Sequence, residues 1–301
     1  MYKDTARLTI LLACAALATS RFGLVLHELG GHGGTAIALG GHITAVKLFW
    51  FAGGWITNDL DGGRAAHVAV MMGGIAIETI VGTALWIGLR KREGIGGRVV
   101  RAVGAALVVH AMWYLATGTW YGYGDGHMLY ELLGDARLPV ALAAGSVGSI
   151  AAFYGARSAF APIALATPGR GWIAALVIAL GLNAALYAGE LYLRNDASYT
   201  ALKMPERDRE IARELAAFRK QHPAAPEVVA EKRAELEQDH PRPFPLAPIL
   251  VVLTLAAMVA GCFASLCAAR TRQAVSGALA TRAAVIAGLS VALVIAIDVL
   301  V

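Results

Sequence analysis

Charged residues are scarce in this chain of 301 residues, and their scarcity determines its class. Asp, Glu, Lys and Arg make up 16% of the residues, against about 25% in an ordinary soluble domain. Hydrophobic residues make up 57%, and the single core of a soluble chain of this length does not have room for so much apolar surface. The composition therefore excludes a soluble globular enzyme, a disordered protein and a nucleic-acid binder, and it predicts a membrane protein.

Cysteine is scarce as well, with Cys14, Cys262 and Cys267 the three examples. All three lie inside apolar runs, and their spacing matches neither a disulfide framework nor a metal knuckle. We therefore expect them to pack as small hydrophobic side chains.

Long apolar runs are abundant instead. A membrane-spanning helix needs about 20 mostly apolar residues, and seven stretches meet or approach that length. They cover about residues 8–39, 65–89, 99–117, 138–156, 172–193, 246–269 and 283–301. We predict an all-α polytopic membrane protein with about seven transmembrane helices.

One segment between the fifth and sixth spans is rich in charge. Residues 194–245 hold ten basic and ten acidic side chains, so we expect them outside the bilayer. Pro205 and Pro226 each favour the start of a helix, which predicts a helical hairpin. Two interpretations stay open, a solvated connector and a cap over a site on that face. The predicted organisation is a membrane-embedded core over 1–193, this extramembrane hairpin, and two C-terminal transmembrane helices over 246–301.

The positions of Lys and Arg in short loops predict the orientation of such a protein. With seven spans, the three most basic loops fall on the same side as the N-terminal Lys3 and Arg7. These loops carry Arg90, Lys91, Arg92 and Arg98, then Arg157 and Arg170, and then Arg270, Arg272 and Arg282. We therefore predict a cytoplasmic N-terminus, with the charged segment and the C-terminus on the extracytoplasmic side.

The first span contains polar residues that a bilayer makes costly, and such residues are functional by default. Residues 27–32, HELGGH, place a glutamate between two histidines, as in the zinc-hydrolase pattern H-E-x-x-H with one extra residue. Histidines five residues apart lie about 140° apart on a regular α-helix. A π-type turn brings them to one face, and Gly30 and Gly31 tolerate that distortion. Glu28 with His32 is the alternative ligand pair, because these residues are four apart.

The motif lies in a stretch with a recognisable relative. Residues 24–41, LVLHELGGHGGTAIALGG, resemble the active-site helix of the site-2 protease or M50 family of intramembrane zinc metalloproteases. Such proteases place a short β-hairpin after this helix, and the β-branched and aromatic residues of 42–55 favour strand. We expect the hairpin at about 42–57. The resemblance covers roughly residues 8–140.

Two further stretches carry the same resemblance. Residues 72–78, MGGIAIE, are similar to the family's G-P-x-x-N element, with Gly74 for the proline and Glu78 near the asparagine. Residues 124–126, GDG, are similar to the D-G pair whose aspartate is the third zinc ligand, here Asp125.

The resemblance implies that His27, His32 and Asp125 hold a zinc ion. It also implies that Glu28 is the catalytic base in hydrolysis of a membrane-embedded peptide bond. Independently of the resemblance, a catalytic zinc needs three protein ligands and an open position for water. Asp125 and the outer half of the first helix are predicted on the same side of the membrane, so the two can meet. His127 is the rival third ligand.

The same ligand set suits other chemistry. Two histidines and a carboxylate also hold iron in oxygenases. A membrane lipid hydrolase, an iron-dependent lipid oxygenase and a catalytically inactive pseudoprotease that binds membrane helices therefore remain alternatives. The expected substrate is a membrane-embedded peptide or lipid, and no nucleic-acid partner is expected.

Other polar residues within the spans have simpler interpretations. Glu78 on the second span and His110 on the third are expected to bond each other across a helix interface. Tyr114 is grouped with neighbouring tryptophans and tyrosines as part of an aromatic belt at the membrane surface.

Overall fold

The computed structural model describes residues 2–164, 167, 169–221, 226–268 and 274–300. Within them, seven helices are long and apolar enough to cross a membrane. The prediction of an all-α polytopic membrane protein with about seven spans is therefore confirmed. Arg270 and Arg272 lie outside the described residues, and the orientation of the termini stays a prediction.

The first span joins three helical segments, α1 (Tyr2–Val25), a π-helix (Leu26–Gly33) and α2 (Gly34–Ala38). Two antiparallel strands follow, β1 (Ile43–Leu48) and β2 (Gly54–Asn58), which confirms the expected hairpin. The other helices are α3 (Arg64–Gly88), α4 (Ile95–Tyr121), α5 (His127–Leu133), α6 (Arg137–Ala164), α7 (Gly171–Arg194), α8 (Ala197–Leu202), α9 (Glu206–Gln221), α10 (Pro226–Asp239), α11 (Leu246–Ala268) and α12 (Gly277–Leu300).

The charged segment contains the two helices that its prolines predict. Helix α9 begins one residue after Pro205, α10 begins at Pro226, and the two pack against each other. Ile211 on α9 and Leu236 on α10 are buried. The division of the chain into 1–193, 194–245 and 246–301 stays a prediction.

The spans pack in two groups that meet at the π-helix. Helix α1 packs against α7 and α12, while α4 packs against α3 and α6, and α11 packs on α6. Small residues allow close approach of helices in a membrane. A Cβ added to Gly82 of α3 would lie 2.7 Å from the carbonyl oxygen of Gly104 on α4. The π-helix packs on α3 and so connects the two groups.

Two buried charged side chains hold the loop between β1 and β2. Arg21 of α1, which is 2% exposed, donates to the carbonyl oxygens of Phe49 and Phe51 at 2.8 and 3.1 Å. Glu190 of α7 accepts the three backbone N–H groups of residues 50–52 at 2.5–2.8 Å. These two side chains therefore form hydrogen bonds with backbone N–H and C=O groups of the loop. The apolar surroundings of a membrane protein offer no such partners.

A third charged group ties the hairpin to the last span. Asp298 of α12 lies 3.3 Å from Nζ of Lys47 on β1 and 3.2 Å from the guanidinium of Arg194 at the end of α7. Its Oδ1 also accepts the backbone N–H of Leu48 at 3.3 Å. The hairpin is thus fixed against α1, α7 and α12 by ionic contacts.

Replacing Glu190 with Ala should destabilise the protein strongly. The variant leaves three backbone N–H groups without their acceptor and removes the negative charge near buried Arg21, so we expect a loss of about 3–5 kcal/mol of unfolding free energy. Denaturant unfolding in detergent measures it. E231A, at an exposed glutamate of α10, should change the value by less than about 0.5 kcal/mol. An E190A protein as stable as the wild type would contradict this role.

Candidate metal centre

The backbone of the motif is a π-helix, Leu26–Gly33. Hydrogen bonds in a π-helix run from residue i to i+5, so side chains five residues apart return to one face. The rings of His27 and His32 accordingly lie 4.8 Å apart between centroids, at 84° to each other. The predicted π-type turn across the motif is confirmed, and the π-helix runs from one residue before His27 to one residue after His32.

Glycine lets the π-helix touch α3 directly. A Cβ on Gly31 would lie 2.3 Å from the Cα of Gly74, so no side chain fits between the two backbones. A Cβ on Gly74 would lie 2.6 Å from Nε2 of His27. Gly74, which stands where the resembled element has proline, therefore makes the space in which the His27 imidazole lies.

A glycine-rich turn brings Asp125 to the same place. Helix α4 ends at Gly122, whose φ is 69°, and Gly124 has a φ of 52°. Both angles lie in the left-handed region that glycine adopts without strain. The 3-10 turn Gly124–Gly126 that follows directs the carboxylate of Asp125 into the protein, where the residue is 8% exposed.

The four residues singled out in the sequence converge. Oδ2 of Asp125 lies 2.8 Å from Nε2 of His27 and 3.1 Å from Nε2 of His32. His27, Glu28 and His32 each offer an atom to a group whose members all lie within 4.8 Å of one another. All four are buried. Asp125 and Glu28 are thus both within reach as the third member of a ligand set with the two histidines.

The orientation of the two imidazoles suits a cation. Nδ1 of His32 lies 2.7 Å from the carbonyl oxygen of Val70, which only accepts, so this nitrogen carries the proton. Nδ1 of His27 lies 3.3 Å from Oε2 of Glu78, close enough for attraction although not aligned for a hydrogen bond. The lone pair of His32 Nε2 therefore faces the Asp125 carboxylate, and Nε2 of His27 lies within hydrogen-bond distance of the same carboxylate, at 2.8 Å. This is the donor set, with outer partners, that zinc or iron takes.

Glu78 has more contacts than the sequence predicted. Its Oε2 accepts from Nδ1 of His110 at 2.9 Å, which confirms the expected bond between the second and third spans. The same oxygen faces His27. Glu78 therefore also orients a candidate ligand, a role that the sequence did not indicate.

His127, the alternative third ligand, contacts side chains of α9. Its Nδ1 lies 3.1 Å from Nη2 of Arg209 and 3.5 Å from Oε2 of Glu206. Arg209 also donates to the carbonyl oxygen of Gly122. Helix α9 is thereby bonded to both sides of the turn that carries Asp125.

Two cavities of about 490 and 480 Å³ open at the cluster. Glu28, Tyr114, Tyr199 and Lys203 line both of them. Tyr114 was expected in an aromatic belt at the membrane surface, but its ring lies 5.7 Å from that of His27. Tyr199 and Lys203 belong to the charged segment, where no pattern distinguishes them from their neighbours. Their position favours the cap interpretation of that segment.

Comparison with known proteins adds no relative. The chain matches no protein-family model, no curated protein and no solved structure. The resemblance to site-2 proteases therefore depends on the sequence motifs.

Replacing Gly74 with Ala should displace His27, because the added methyl group meets its imidazole. We expect the variant to bind zinc about 10–100-fold more weakly, as when an outer partner of a ligand is lost. Elemental analysis and a competitive chelator titration measure the affinity. Gly88 of the same helix has open space at its Cβ, so G88A should bind zinc like the wild type. Equal affinity in the two variants would argue against His27 as a ligand.

Proposed function

We propose that this protein is an intramembrane zinc-dependent hydrolase that cleaves a peptide bond of a membrane-embedded substrate, as site-2 proteases do. The observation that carries the proposal is the approach of His27 Nε2 and His32 Nε2 to Asp125 Oδ2, at 2.8 and 3.1 Å. Glu28 stands beside this cluster and lines both cavities.

The cluster contains the residues that such a reaction needs. His27, His32 and Asp125 would hold the ion, and Glu78 and the Val70 carbonyl orient the two imidazoles. Zinc bound there would lower the pKa of a coordinated water to about 7. Outer partners such as the Val70 carbonyl and Glu78 fix the orientation of such ligands.

Glu28 is the proton carrier in this scheme. Its carboxylate accepts the proton of the attacking water and returns it to the departing amine. The residue is buried at 7% exposure, yet it faces both cavities, so a bound substrate reaches it. A buried carboxylate at such a place is typical of a general base rather than of a structural side chain.

The shape of the larger cavity supports a substrate from the bilayer. It runs along α1 and α4 from Lys203 and Glu28 to Ala16, and apolar Leu24 and Leu107 lie on its wall. Both helices belong to the candidate spans. The wall also carries polar side chains, among them Thr19, Ser20 and His110, so this groove between candidate spans suits a peptide segment that has both apolar side chains and backbone polar groups.

A second candidate function is oxidation of a lipid at an iron centre. Two histidines and one carboxylate, with further positions open, are the ligands of non-haem iron oxygenases. The apolar cavity also suits an acyl chain. Metal analysis of the purified protein separates the two functions, because zinc supports the hydrolase and iron supports the oxygenase.

Replacing Glu28 with Gln should keep the metal and abolish turnover. The amide cannot accept the proton, so we expect kcat to fall by about 10²–10⁴. Hydrolysis of a transmembrane peptide in detergent and metal content are measured on the same sample, with E231Q as the exposed control. Loss of metal would make Glu28 a ligand. Retained turnover, or no metal in either protein, would favour the pseudoprotease.

We also propose the orientation that the basic loops indicate, with α9 and α10 on the extracytoplasmic side of the membrane. In a chain whose three cysteines are replaced, Glu231→Cys should react with a membrane-impermeant maleimide added to intact cells. Arg92→Cys, in the loop between α3 and α4, should react only after lysis. The reverse pattern would invert the topology.

A further inference from the structure

The charged segment brings Lys203 to the candidate metal centre. Helix α8 is capped at its N-terminus by Asp196, whose carboxylate accepts the backbone N–H of Tyr199 at 3.0 Å. The ring of Tyr199 lies 4.8 Å from that of Phe49. A Cβ on Gly53 would lie 2.5 Å from its hydroxyl. Tyr199 thus seats α8 on the loop of the hairpin, and Lys203, one residue after α8, points back into the site.

Lys203 lies where the two cavities meet. Its Nζ is 3.4 Å from the hydroxyl of Tyr114, 4.6 Å from the centre of that ring and 5.6 Å from the ring of Tyr199. Among the described residues, Lys203 has no ion-pair partner. The ammonium is held by aromatic rings and faces open space that Glu28 shares.

The ammonium group of Lys203 lies near the carboxylates of Asp125 and Glu28. Loss of water around the side chain lowers the pKa of its ammonium, and the negative charges of Asp125 and Glu28 oppose that change. The nearby polar side chains otherwise accept hydrogen bonds or are potential metal ligands. Lys203 therefore supplies this cluster with a positively charged hydrogen-bond donor.

Other donors on the cavity walls are already engaged. Arg21 donates to the carbonyl oxygens of the hairpin loop, and Arg209 to that of Gly122. His110 is bonded to Glu78. The Tyr199 hydroxyl, which also lines both cavities, interacts with Tyr187 and with the Gly53 backbone. Among the described residues that line both cavities, this leaves the Lys203 ammonium and the Tyr114 hydroxyl as donors toward the space beside Glu28.

Hydrolysis of an amide needs such a donor. When water attacks the carbonyl carbon, the electron pair of the C=O bond moves to oxygen, and that negative charge is stabilised by donors fixed in advance. When the intermediate collapses, the pair returns, the C–N bond breaks, and the nitrogen takes the proton that Glu28 received. A protonated lysine beside the oxygen stays protonated through both steps.

We propose that Lys203, with the Tyr114 hydroxyl, donates hydrogen bonds to the carbonyl oxygen of the bond that is cleaved. This inference rests on the proposed function, because it assigns an oxyanion donor to the same site. It makes the segment after α7 part of the active site, although that segment is not part of the candidate spans.

The kinetic test compares K203M, K203R and Y114F. Removal of one oxyanion donor lowers kcat by about 10²–10³, so we expect that loss in K203M, with KM and metal content unchanged. K203R keeps a cation and should recover part of the loss, and Y114F should lose about tenfold. K220M, at an exposed lysine of α9, should behave as wild type. A K203M variant in which KM alone rises would assign Lys203 to recognition of a charged substrate and overturn the proposal.

A second readout requires neither turnover nor metal. The probe is N-dodecanoyl-leucyl methyl ketone, bound to the full-length protein in detergent before and after chelator treatment. Infrared spectroscopy should find the ketone C=O stretch at lower frequency in wild type and K203R than in K203M. We expect K203M to bind the ketone about 10–100-fold more weakly, since it loses a hydrogen bond from a charged donor.

The two readouts separate the two proposals. An identical ketone frequency in wild type and K203M, or no ketone binding to the wild type, overturns the role of Lys203 whatever the metal content. A shifted frequency in a protein that contains no metal and is indifferent to E28Q supports the donor pair while it removes the hydrolase.

Discussion

The imidazoles of His27 and His32, five residues apart in the sequence, face one point inside the helix bundle. Much of the surrounding structure depends on this requirement. A regular α-helix separates them by about 140°, so the backbone widens into a π-helix over Leu26–Gly33. The wider helix fits against α3 only because Gly31 and Gly74 lack side chains. Two imidazole nitrogens and a carboxylate oxygen meet there, a set of groups that could hold a metal ion.

The surroundings of the cluster depend on charges buried in the spans. Arg21 and Glu190 satisfy the backbone of the hairpin loop, and Tyr199 packs on that loop. Lys203 owes its position to this arrangement, since it follows α8 directly. Arg21 and Glu190 therefore affect the candidate site through the loop and α8, whereas Glu78 contacts the candidate ligand His27 directly.

The proposed chemistry divides into groups from different parts of the chain. The first span supplies two imidazoles and the base Glu28, the turn after α4 supplies Asp125, and the charged segment supplies Lys203. The acceptors and the Lys203 ammonium thus line the same two cavities. Such an arrangement orients a carbonyl group, because its oxygen is drawn to the cation while its carbon faces the base.

The sequence alone determined the class, the seven spans, the hairpin and the widened helix, because hydropathy, β-branching and five-residue spacing are local properties. It also indicated His27, Glu28 and His32, and it indicated Asp125 by resemblance. Tertiary structure decided that Tyr114 lies beside His27 and that Glu78 faces the same ring. It also decided that Lys203 enters the site. These contacts join residues far apart in the chain, so they depend on how helices pack, which no local pattern of residues encodes.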